Sequence, residues 1–442
     1  MKHCLLILLL FSTPNEKMLA QARPPVDSAG QKFNLHFQTT YIYQYKPAFS
    51  ALYSGSHSLL PNEERQNSST YTVFLGLRLW KGAELYFNPE IAAGSGLSGA
   101  FGMAASSNGE TYRVGDPAPS LYLARLFLRQ TFLLGGAKSN IDDAQNQLEN
   151  RSSSNYVQLL LGKTSLADIF DNNAYSNSPR TQFMNWAIMN NAAWDYAANV
   201  RGYTYTAAAI LQYGTYNYKL ALAALPITAN GSTLGTDIYE EFSLNTELSK
   251  AYTVSNKKGI VRLLAYYNNA PMGSYRQALS APHNPDIPDI TSSREPGRHK
   301  QGLALNIEQQ LSENTGFFTR LGWNDGKTET WCYTEADQSL SAGILLKGAR
   351  WHRPQDNIGL AIVVDALSAD HKNYLAAGGN GFELGDGKLN YGYETVTEAY
   401  YSFKPVSYPI WLSADYQFVI NPGYNKDRGP VHIFSIRLHV EL

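Results

Sequence analysis

Apolar and polar residues alternate at both ends of the chain. Near the start, one parity is apolar and the other polar: Phe33, Leu35, Phe37, Tyr41 and Tyr43 against Asn34, His36, Gln38, Thr40 and Gln44. The last residues repeat the pattern: Phe434, Ile436, Leu438, Val440 and Leu442 against Ser435, Arg437, His439 and Glu441. Successive side chains of a β-strand point to opposite faces. Both ends therefore predict strands with one apolar and one polar face.

The same alternation recurs between the ends and predicts about 16 strands, near the length of roughly 10 residues typical of membrane strands. The connections differ in length. The predicted short ones are 81–83, 214–215 and 421–429, and the long ones are 48–69, 92–119, 164–201, 270–300 and 368–387. Short turns at one end and long loops at the other are typical of a transmembrane antiparallel β-barrel. The predicted fold class is therefore all-β, with the barrel over residues 33–442.

The amino terminus has the features of a secretory leader. A short basic start precedes an apolar run from Cys4 to Phe11, and the sequence Ala20-Gln21-Ala22 provides a small-x-small cleavage pattern. We expect a signal peptide over residues 1–22 and a short lead-in over residues 23–32. The only other cysteine is Cys332, so the mature chain cannot form an internal disulfide.

After this leader, no apolar run reaches the roughly 18 residues that a membrane helix needs. The mature chain is then either a soluble secreted β-protein or a membrane protein that spans with strands. Its 30 Tyr, 18 Phe and 7 Trp would suit a water–lipid boundary, although Tyr also favours strands in general. The aromatic content favours the membrane alternative, because a soluble sandwich would bury its aliphatic faces against a second sheet.

Composition and motifs exclude several other functions. The net charge of -1 is unlike the basic surface that nucleic acid requires. Gly94, Gly96 and Gly99 match the GxGxxG pattern, but no helical face follows them, so a flexible loop is expected. No zinc-type cysteine pair, HExxH or GxSxG motif is present. We therefore expect no catalytic residues, no metal site and no cofactor.

Several charged residues fall on the polar parity of predicted strands. These are Arg78, Glu90 (with Glu84 and Asn88), and the pair Arg125 and Arg129, which we place opposite Tyr122, Ala124, Leu126 and Leu128. If the apolar faces meet lipid, these charges point into the lumen, where arginine and carboxylate groups can bind sugar hydroxyls. The alternative is that they only solvate the pore wall or pair with one another.

The segment 164–201 is a long stretch without a predicted strand. It contains Trp186, Trp194 and Asp195 among several asparagines. Aromatic rings beside amides and carboxylates match sugar chemistry, because rings stack on C–H faces while hydroxyls find polar partners. Its apolar part, residues 183–189, would be unusual on a solvated loop. We expect the segment to fold inward and narrow the pore; a loop that caps the outside is the alternative.

Seven stretches resemble the carbohydrate-selective porin (OprB-type) family: ELYFNPE (84–90), ARLFLRQTF (124–132), GKTSLADIFDNN (162–173), PRTQFMNWAIMNN (179–191), AWDYAANVRGY (193–203), GDGKLNYGYETVTEAYY (385–401) and YQFVINPG (416–423). The resemblance runs over residues 33–442. It implies a barrel in the outer membrane of a Gram-negative bacterium, with infolded loops and passive diffusion of sugars such as glucose. By matching position it puts Glu90, Arg125 and Arg129 near the constriction and Trp186, Trp194 and Asp195 in the infolded segment.

Three rival functions remain at this point. They are a general non-selective porin, a barrel enzyme acting on lipid or polysaccharide, and a soluble secreted sugar-binding protein. The expected partners are small sugars and outer-membrane lipids, with no nucleic acid. The sequence leaves open whether identical chains associate into a homo-oligomer and which sugar is preferred.

Overall fold

In a computed structural model, the described residues are 30–94, 96–110, 118–281, 287–405 and 408–442. The expected signal peptide and residues 23–29 of the lead-in lie outside them. The described residues form sixteen strands: β1 (Phe33–Lys46), β2 (Glu64–Trp80), β3 (Ala83–Ala93), β4 (Ser120–Ile141), β5 (Asn150–Thr164), β6 (Thr204–Tyr213), β7 (Tyr216–Ala224), β8 (Phe242–Val254), β9 (Lys257–Ala270), β10 (Arg298–Ser312), β11 (Thr315–Asn324), β12 (Gln338–Lys347), β13 (Asn357–Ala366), β14 (Glu394–Phe403), β15 (Ile410–Ile420) and β16 (Val431–Glu441).

The strands close into one barrel. Each strand pairs antiparallel with its neighbours in the chain, and β1 closes the sheet by pairing with β16. This closing ladder runs from the pair Gln38–Glu441 to the pair Tyr45–Phe434. Over the part of the barrel in which all sixteen described strands pair, closure leaves no sheet edge with unpaired backbone groups, which is the condition for crossing a hydrocarbon layer as strands. The predicted all-β barrel is confirmed.

The two faces of the sheet divide as the alternation predicts. On β16, Phe434 and Ile436 are 45% and 56% exposed, whereas Arg437 between the outward positions is fully buried. On β1, Leu35 is 58% exposed and Gln38 only 2%. The apolar parity therefore forms the outer surface, where lipid covers it, and the polar parity faces the interior.

Loop length separates the two rims of the barrel. Odd-numbered strands run from the rim that carries both termini to the opposite rim, so every connection after an odd strand lies on the opposite rim. The connections 81–82, 214–215, 255–256 and 313–314 are short turns on the terminal rim, which we call the short-turn rim. Residues 421–430 follow β15 and lie on the long-loop rim, so their grouping with the short turns was wrong. Their Asn-Pro-Gly sequence signals a turn without indicating a rim.

A β-bulge in β4 changes which side chains face inward. The register between β3 and β4 passes from Asn88–Arg125 to Pro89–Leu123, so Ala124 is inserted without a partner. Proline cannot donate to the ladder, and bulges accommodate it. Because of this insertion, Tyr122 lies on the same inward face as Arg125. The prediction that Tyr122 and Ala124 oppose Arg125 was wrong, since a strict period of two cannot register an added residue.

Helices are few in the described ranges and lie in the loops: α1 (Trp186–Met189), α2 (Tyr275–Ser280) and α3 (Ala369–Ala376). Of the described helices, none combines the length and the apolar character needed to cross a membrane. The largest apolar cluster lies inside the barrel, where Trp194 and Trp331 are fully buried. This interior packing positions the loops that shape the pore.

Candidate pore constriction

Residues 165–203, which join β5 to β6, form what we call the infolded segment. Asn306 of β10 donates from Nδ2 to Oδ1 of Asp171 at 2.6 Å. Glu398 of β14 accepts a hydrogen bond from the backbone N–H of Asn185 at 2.9 Å. In the strand order β14 lies eight positions from β6, on the opposite side of the barrel, and β10 lies four positions from β6. The segment therefore crosses the lumen, which confirms the expected infolding.

A buried arginine holds the first half of this segment. Arg320 of β11 is 1% exposed, and its Nε lies 3.0 Å from Oδ2 of Asp171. Its Nη1 and Nη2 donate to the backbone carbonyls of Ile188 at 2.9 Å and Ser176 at 3.0 Å. An arginine presents its donors in one fixed plane, so these contacts determine the path of the chain at three separate points.

Asp195 fixes the second half of the infolded segment in place. Its carboxylate is 1% exposed and accepts backbone N–H groups from Trp331 at 2.9 Å, Cys332 at 2.8 Å and Tyr333 at 3.1 Å. Lys300 Nζ lies 3.7 Å from the same carboxylate. The infolded segment is thereby joined to residues 325–337, the loop between β11 and β12, and Asp195 is buried in that joint.

The two tryptophans of the segment have different environments. Trp194 is fully buried and donates from Nε1 to Oδ1 of Asn245 at 2.9 Å. Trp186 stacks on Tyr333, with ring centroids 5.5 Å apart, and both rings line a cavity. Trp194 is thus part of the packed interior, whereas Trp186 is part of the pore wall.

Two cavities meet inside the barrel. The larger, of about 710 Å³, extends to Thr215 at the short-turn rim. The smaller, of about 230 Å³, extends toward the long-loop rim and Asn230. The residues lining both cavities are Arg125, Ala167, Asp168, Asn177 and Arg180. We call this set the constriction, because a solute passing between the two cavities must pass these side chains.

Charges of both signs surround the constriction. Arg125 forms a bidentate pair with Asp168, with Nε–Oδ2 and Nη2–Oδ1 distances of 2.6 and 2.7 Å. Arg180 lies 3.0 Å from Glu110 through Nε and 3.5 Å from Glu90 through Nη2. Because each arginine is matched by carboxylates, the constriction is strongly polar without a large excess of either sign.

Glu90 supports this arrangement from the wall. It is 1% exposed and accepts hydrogen bonds from Thr72 Oγ1 at 2.5 Å, from the hydroxyl of Tyr203 at 3.1 Å and from the hydroxyl of Tyr122. The Arg125 guanidinium lies over the Tyr203 ring at 5.0 Å. Glu90 therefore orients a tyrosine that in turn positions Arg125.

The remaining predicted arginines lie toward the short-turn rim. Arg129 lines the larger cavity, pairs with Glu84 at 2.7 Å and lies over the Tyr86 ring at 4.6 Å. Arg78 lies 3.3 Å from the same Glu84 but does not line either cavity. Among the seven residues predicted from sequence, Arg125, Arg129 and Trp186 line the cavities; Glu90, Arg78, Trp194 and Asp195 lie behind the lining.

Sequence reasoning did not single out Asp168, Asn177 or Arg180 as pore residues. Asp168 belongs to a Ser-x-x-Asp capping box with Ser165 at a short 3₁₀ turn, Leu166–Asp168. This motif was a usable signal, because it places a carboxylate just inside the infolded segment. Nothing in the sequence around Asn177 and Arg180 indicates which side of the lumen they reach.

The chain resembles one porin family in sequence and solved outer-membrane proteins in fold. The family model for "Carbohydrate-selective porin, OprB family" matches residues 76–442. The structure of Pseudomonas putida OprB at high pH has a TM-score of 0.71 at 15% identity, covering 93% of this chain and 94% of that chain. The Acinetobacter baumannii outer membrane channel DcaP has a TM-score of 0.51 at 12% identity, covering 94% and 100%. At these identities the likeness concerns the fold. No curated protein sequence matches this chain.

A closed antiparallel barrel with an apolar exterior and a charged, loop-narrowed lumen is the architecture of outer-membrane porins. The family model covers most of the chain, and the chain belongs to the OprB family of carbohydrate-selective porins. It therefore resides in the outer membrane of a Gram-negative bacterium and lets sugars diffuse passively through its lumen.

Proposed function

We propose that the constriction gives the pore its preference for small sugars, such as the monosaccharide glucose, by offering polar partners to their hydroxyl groups. The observation that carries this proposal is the meeting of two cavities at Arg125, Asp168, Asn177 and Arg180. Guanidinium and amide N–H groups donate, and carboxylate oxygens accept, so neighbouring hydroxyls of one sugar ring can exchange water for both kinds of partner.

Charge balance supports sugars over ions. The Arg125–Asp168 pair and the Arg180–Glu110 pair each place opposite charges within 3.0 Å. A balanced pair gives little net attraction to a cation or an anion, whereas its polar atoms still replace the hydration of a neutral solute. Transport also requires weak and staggered sites, since a tightly bound sugar would not leave.

Aromatic rings at the smaller cavity complete the proposed route. The smaller cavity is lined, on the long-loop side of the constriction, by Trp186, Tyr333 and Tyr203. Their faces can stack on the C–H face of a sugar while its hydroxyls meet Asn199 or Arg201 in the same wall. Trp194, Asp195 and Arg78 are proposed to act indirectly, by holding the loops and wall on which this route depends.

Single-channel recording in planar bilayers tests the proposal. We expect glucose to reduce the ion current in a concentration-dependent manner, and liposome swelling to be faster with monosaccharides than with other neutral solutes of the same size. A general non-selective porin would show no sugar-dependent block and a swelling rate that depends on size alone. Current block that is equal for charged and uncharged solutes would also contradict the proposal.

The family and the structurally similar proteins are channels, and we propose that this chain has no catalytic activity. The test is incubation of the purified porin with phospholipid and with polysaccharide, followed by product analysis. Turnover that disappears after substitution of one serine or histidine would contradict this. We also propose that residues 1–22 are removed as a signal peptide; an intact mass that begins at Arg23 would agree, and any other start would revise the boundary.

A further inference from the structure

One hairpin extends beyond the barrel wall at the short-turn rim. The ladder between β3 and β4 ends at the pair Ala83–Gln130, and the ladder between β5 and β6 ends at Tyr156–Gln212. Strands β4 and β5 nevertheless continue to pair with each other as far as Ile141–Asn150. Residues 132–155 therefore form a two-stranded extension, which we call the rim hairpin, with its tip at residues 142–149.

The rim hairpin bends where two glycines adopt backbone angles that other residues rarely adopt. Gly135 and Gly136 have φ values of 97° and 100°, and the register between β4 and β5 shifts at Gly135. A Cβ at Gly136 would lie 2.3 Å from Oγ of Ser154. Glycine is needed there, because no other residue combines this conformation with so close a neighbour.

The bend carries the tip to the interior face of β1. Asn34 is 5% exposed, and its Nδ2 lies within hydrogen-bond distance of Asp143 Oδ1 at 2.7 Å, Ala144 O at 3.1 Å and Gln147 O at 3.0 Å. Strands β1 and β4 are three positions apart in the sheet, which corresponds to about 14 Å along the wall. The tip therefore reaches across part of the barrel mouth.

A second set of contacts holds the base of the tip. Arg78 donates from Nη2 to the carbonyl of Glu149 at 3.2 Å and from Nε to the carbonyl of Gln31 at 2.8 Å. The backbone N–H of Glu149 donates to Oε1 of Gln31 at 2.8 Å, and that of Leu148 donates to the Tyr86 hydroxyl at 3.2 Å. Because several strands hold the tip, its position is set by the barrel and not only by its own hairpin.

The tip also forms part of the wall of the larger cavity. Gln145 and Asn146 line it together with Arg125 and Arg129. A solute that has passed the constriction toward the short-turn rim meets these amide side chains next. The tip is thus on the route and lies apart from the charged constriction.

We propose that the rim hairpin is a size filter on the periplasmic side, which sets the largest sugar that passes while the constriction sets chemical preference. Short turns face the periplasm in barrels of this kind, so the filter acts at the exit. The inference rests on the proposed route through the constriction. The filter works by obstruction, because a tip held by backbone and buried amide contacts cannot move aside without breaking them.

The decisive variant replaces residues 142–149 by Asn-Gly. A two-residue turn can join Ile141 to Asn150 in the existing register, so the β4–β5 pairing is kept and only the tip is lost. We expect the single-channel conductance to rise, because resistances in series along a pore add and the tip contributes one of them. We also expect liposomes to admit disaccharides and trisaccharides that the unaltered porin excludes.

Two point variants provide a milder test of the rim hairpin and a control. Asn34→Ala removes the donor that meets three acceptors of the tip, and we expect a smaller change in the same direction. It serves as the test if the turn replacement does not fold, with folding followed by the heat-dependent electrophoretic mobility of the barrel. Lys138→Ala, on the exposed stem of the rim hairpin, is the matched control and should leave both readouts unchanged.

The outcomes separate this inference from the proposed sugar selectivity. Unchanged conductance and an unchanged size limit in the folded tip variants would overturn the filter. The size limit is measured with neutral polyethylene glycols of graded mass, which need no sugar site. Absence of glucose block in the unaltered porin would overturn the proposed constriction chemistry, yet a tip-dependent polyethylene glycol cut-off would still support the filter.

Discussion

The carboxylate of Asp195 accepts a hydrogen bond from the backbone N–H of Trp331 at 2.9 Å. These two residues lie far apart in the chain, on the infolded segment and on the loop before β12. One buried carboxylate therefore joins two loops, and together these loops form the pore wall on the side of the long-loop rim. This contact explains why a residue typical of sugar binding is not found in the cavity lining.

Asp195→Ala should loosen that joint without unfolding the barrel. The substitution leaves backbone N–H groups of Trp331, Cys332 and Tyr333 without their acceptor, and each buried unpaired donor costs about 1–3 kcal/mol. We expect faster hydrogen exchange at residues 331–333 and a noisier channel current. Glu313→Ala, in the exposed turn between β10 and β11, is the control. Unaltered exchange at residues 331–333 would show that other contacts suffice.

Arg125→Ala should reduce sugar passage more than barrel stability. A hydrogen bond to a charged group contributes about 1.5 kcal/mol, so glucose binding measured by current block should weaken roughly tenfold. Asp168 loses its bidentate partner, and the reversal potential in a salt gradient should shift toward cation preference.

Arg125→Lys separates the two effects. Lysine keeps the charge but lacks the planar fork, so glucose block should fall while ion preference stays near that of the unaltered porin. Sugar flux in proteoliposomes that is the same for Arg125→Ala as for the unaltered porin would rule out this residue as a sugar contact.

The loop carrying Glu335 should loosen as pH rises. Its carboxyl group is buried and accepts N–H groups from Phe382 at 2.8 Å and Leu384 at 3.1 Å, and burial raises its pKa from 4.5 to about 7. His371 and Lys300 oppose this rise, and the neighbouring Glu383 carboxyl also has a raised pKa because of burial.

The direction of this pH dependence follows from the linkage between proton binding and folding stability. A carboxyl group with a raised pKa in the folded state contributes stability that is lost as it ionises, here between about pH 4.5 and 7. Hydrogen exchange at residues 382–384, corrected for its intrinsic pH dependence, should be faster at pH 8 than at pH 5. Glu335→Gln should flatten this dependence. The same pH dependence in that variant would assign it to another group, such as Glu383.

Introducing an arginine on the lipid-facing surface should cost more unfolding free energy in the middle of the outer band than at the short-turn rim. Leu321 is 53% exposed on the outer face of β11, between the ring-bearing residues Phe317 and Trp323. Leu321→Arg should cost about 2–4 kcal/mol of unfolding free energy in a bilayer, whereas Val254→Arg at the short-turn rim should cost about 0–1 kcal/mol. Urea unfolding in lipid vesicles measures both. Equal costs would mean that the outer band does not lie in hydrocarbon.

The alternation of side chains was sufficient to predict the barrel. On β16, Phe434 and Ile436 lie on one parity and Arg437 lies on the other. The apolar side chains can contact lipid while the arginine contacts the polar interior only if the strand separates lipid from water. Repeated along the chain, this local rule predicted the strand number and the inward direction of Glu90, Arg125 and Arg129. It required no knowledge of which residues meet across the lumen.

Local pattern failed where an irregularity or a distant partner intervened. The bulge at Ala124, opposite Pro89, reversed the predicted side of Tyr122, because one inserted residue shifts a period of two. The prediction that residues 421–429 belong with the short turns was wrong, because a turn sequence does not indicate the direction of the strand that precedes it.

The roles of individual loop residues depended on contacts between remote parts of the chain. Asp195 and Trp194 have side chains suited to sugars, yet Asp195 is buried against backbone N–H groups of the loop between β11 and β12, and Trp194 is buried beside Asn245 of β8. Asp168 and Arg180 reach the pore because Arg320 and Asn306 hold the infolded segment across the lumen. Strand alternation reports only which side of a sheet a residue faces, whereas the pore lining is set by hydrogen bonds between residues that only the closed barrel brings together.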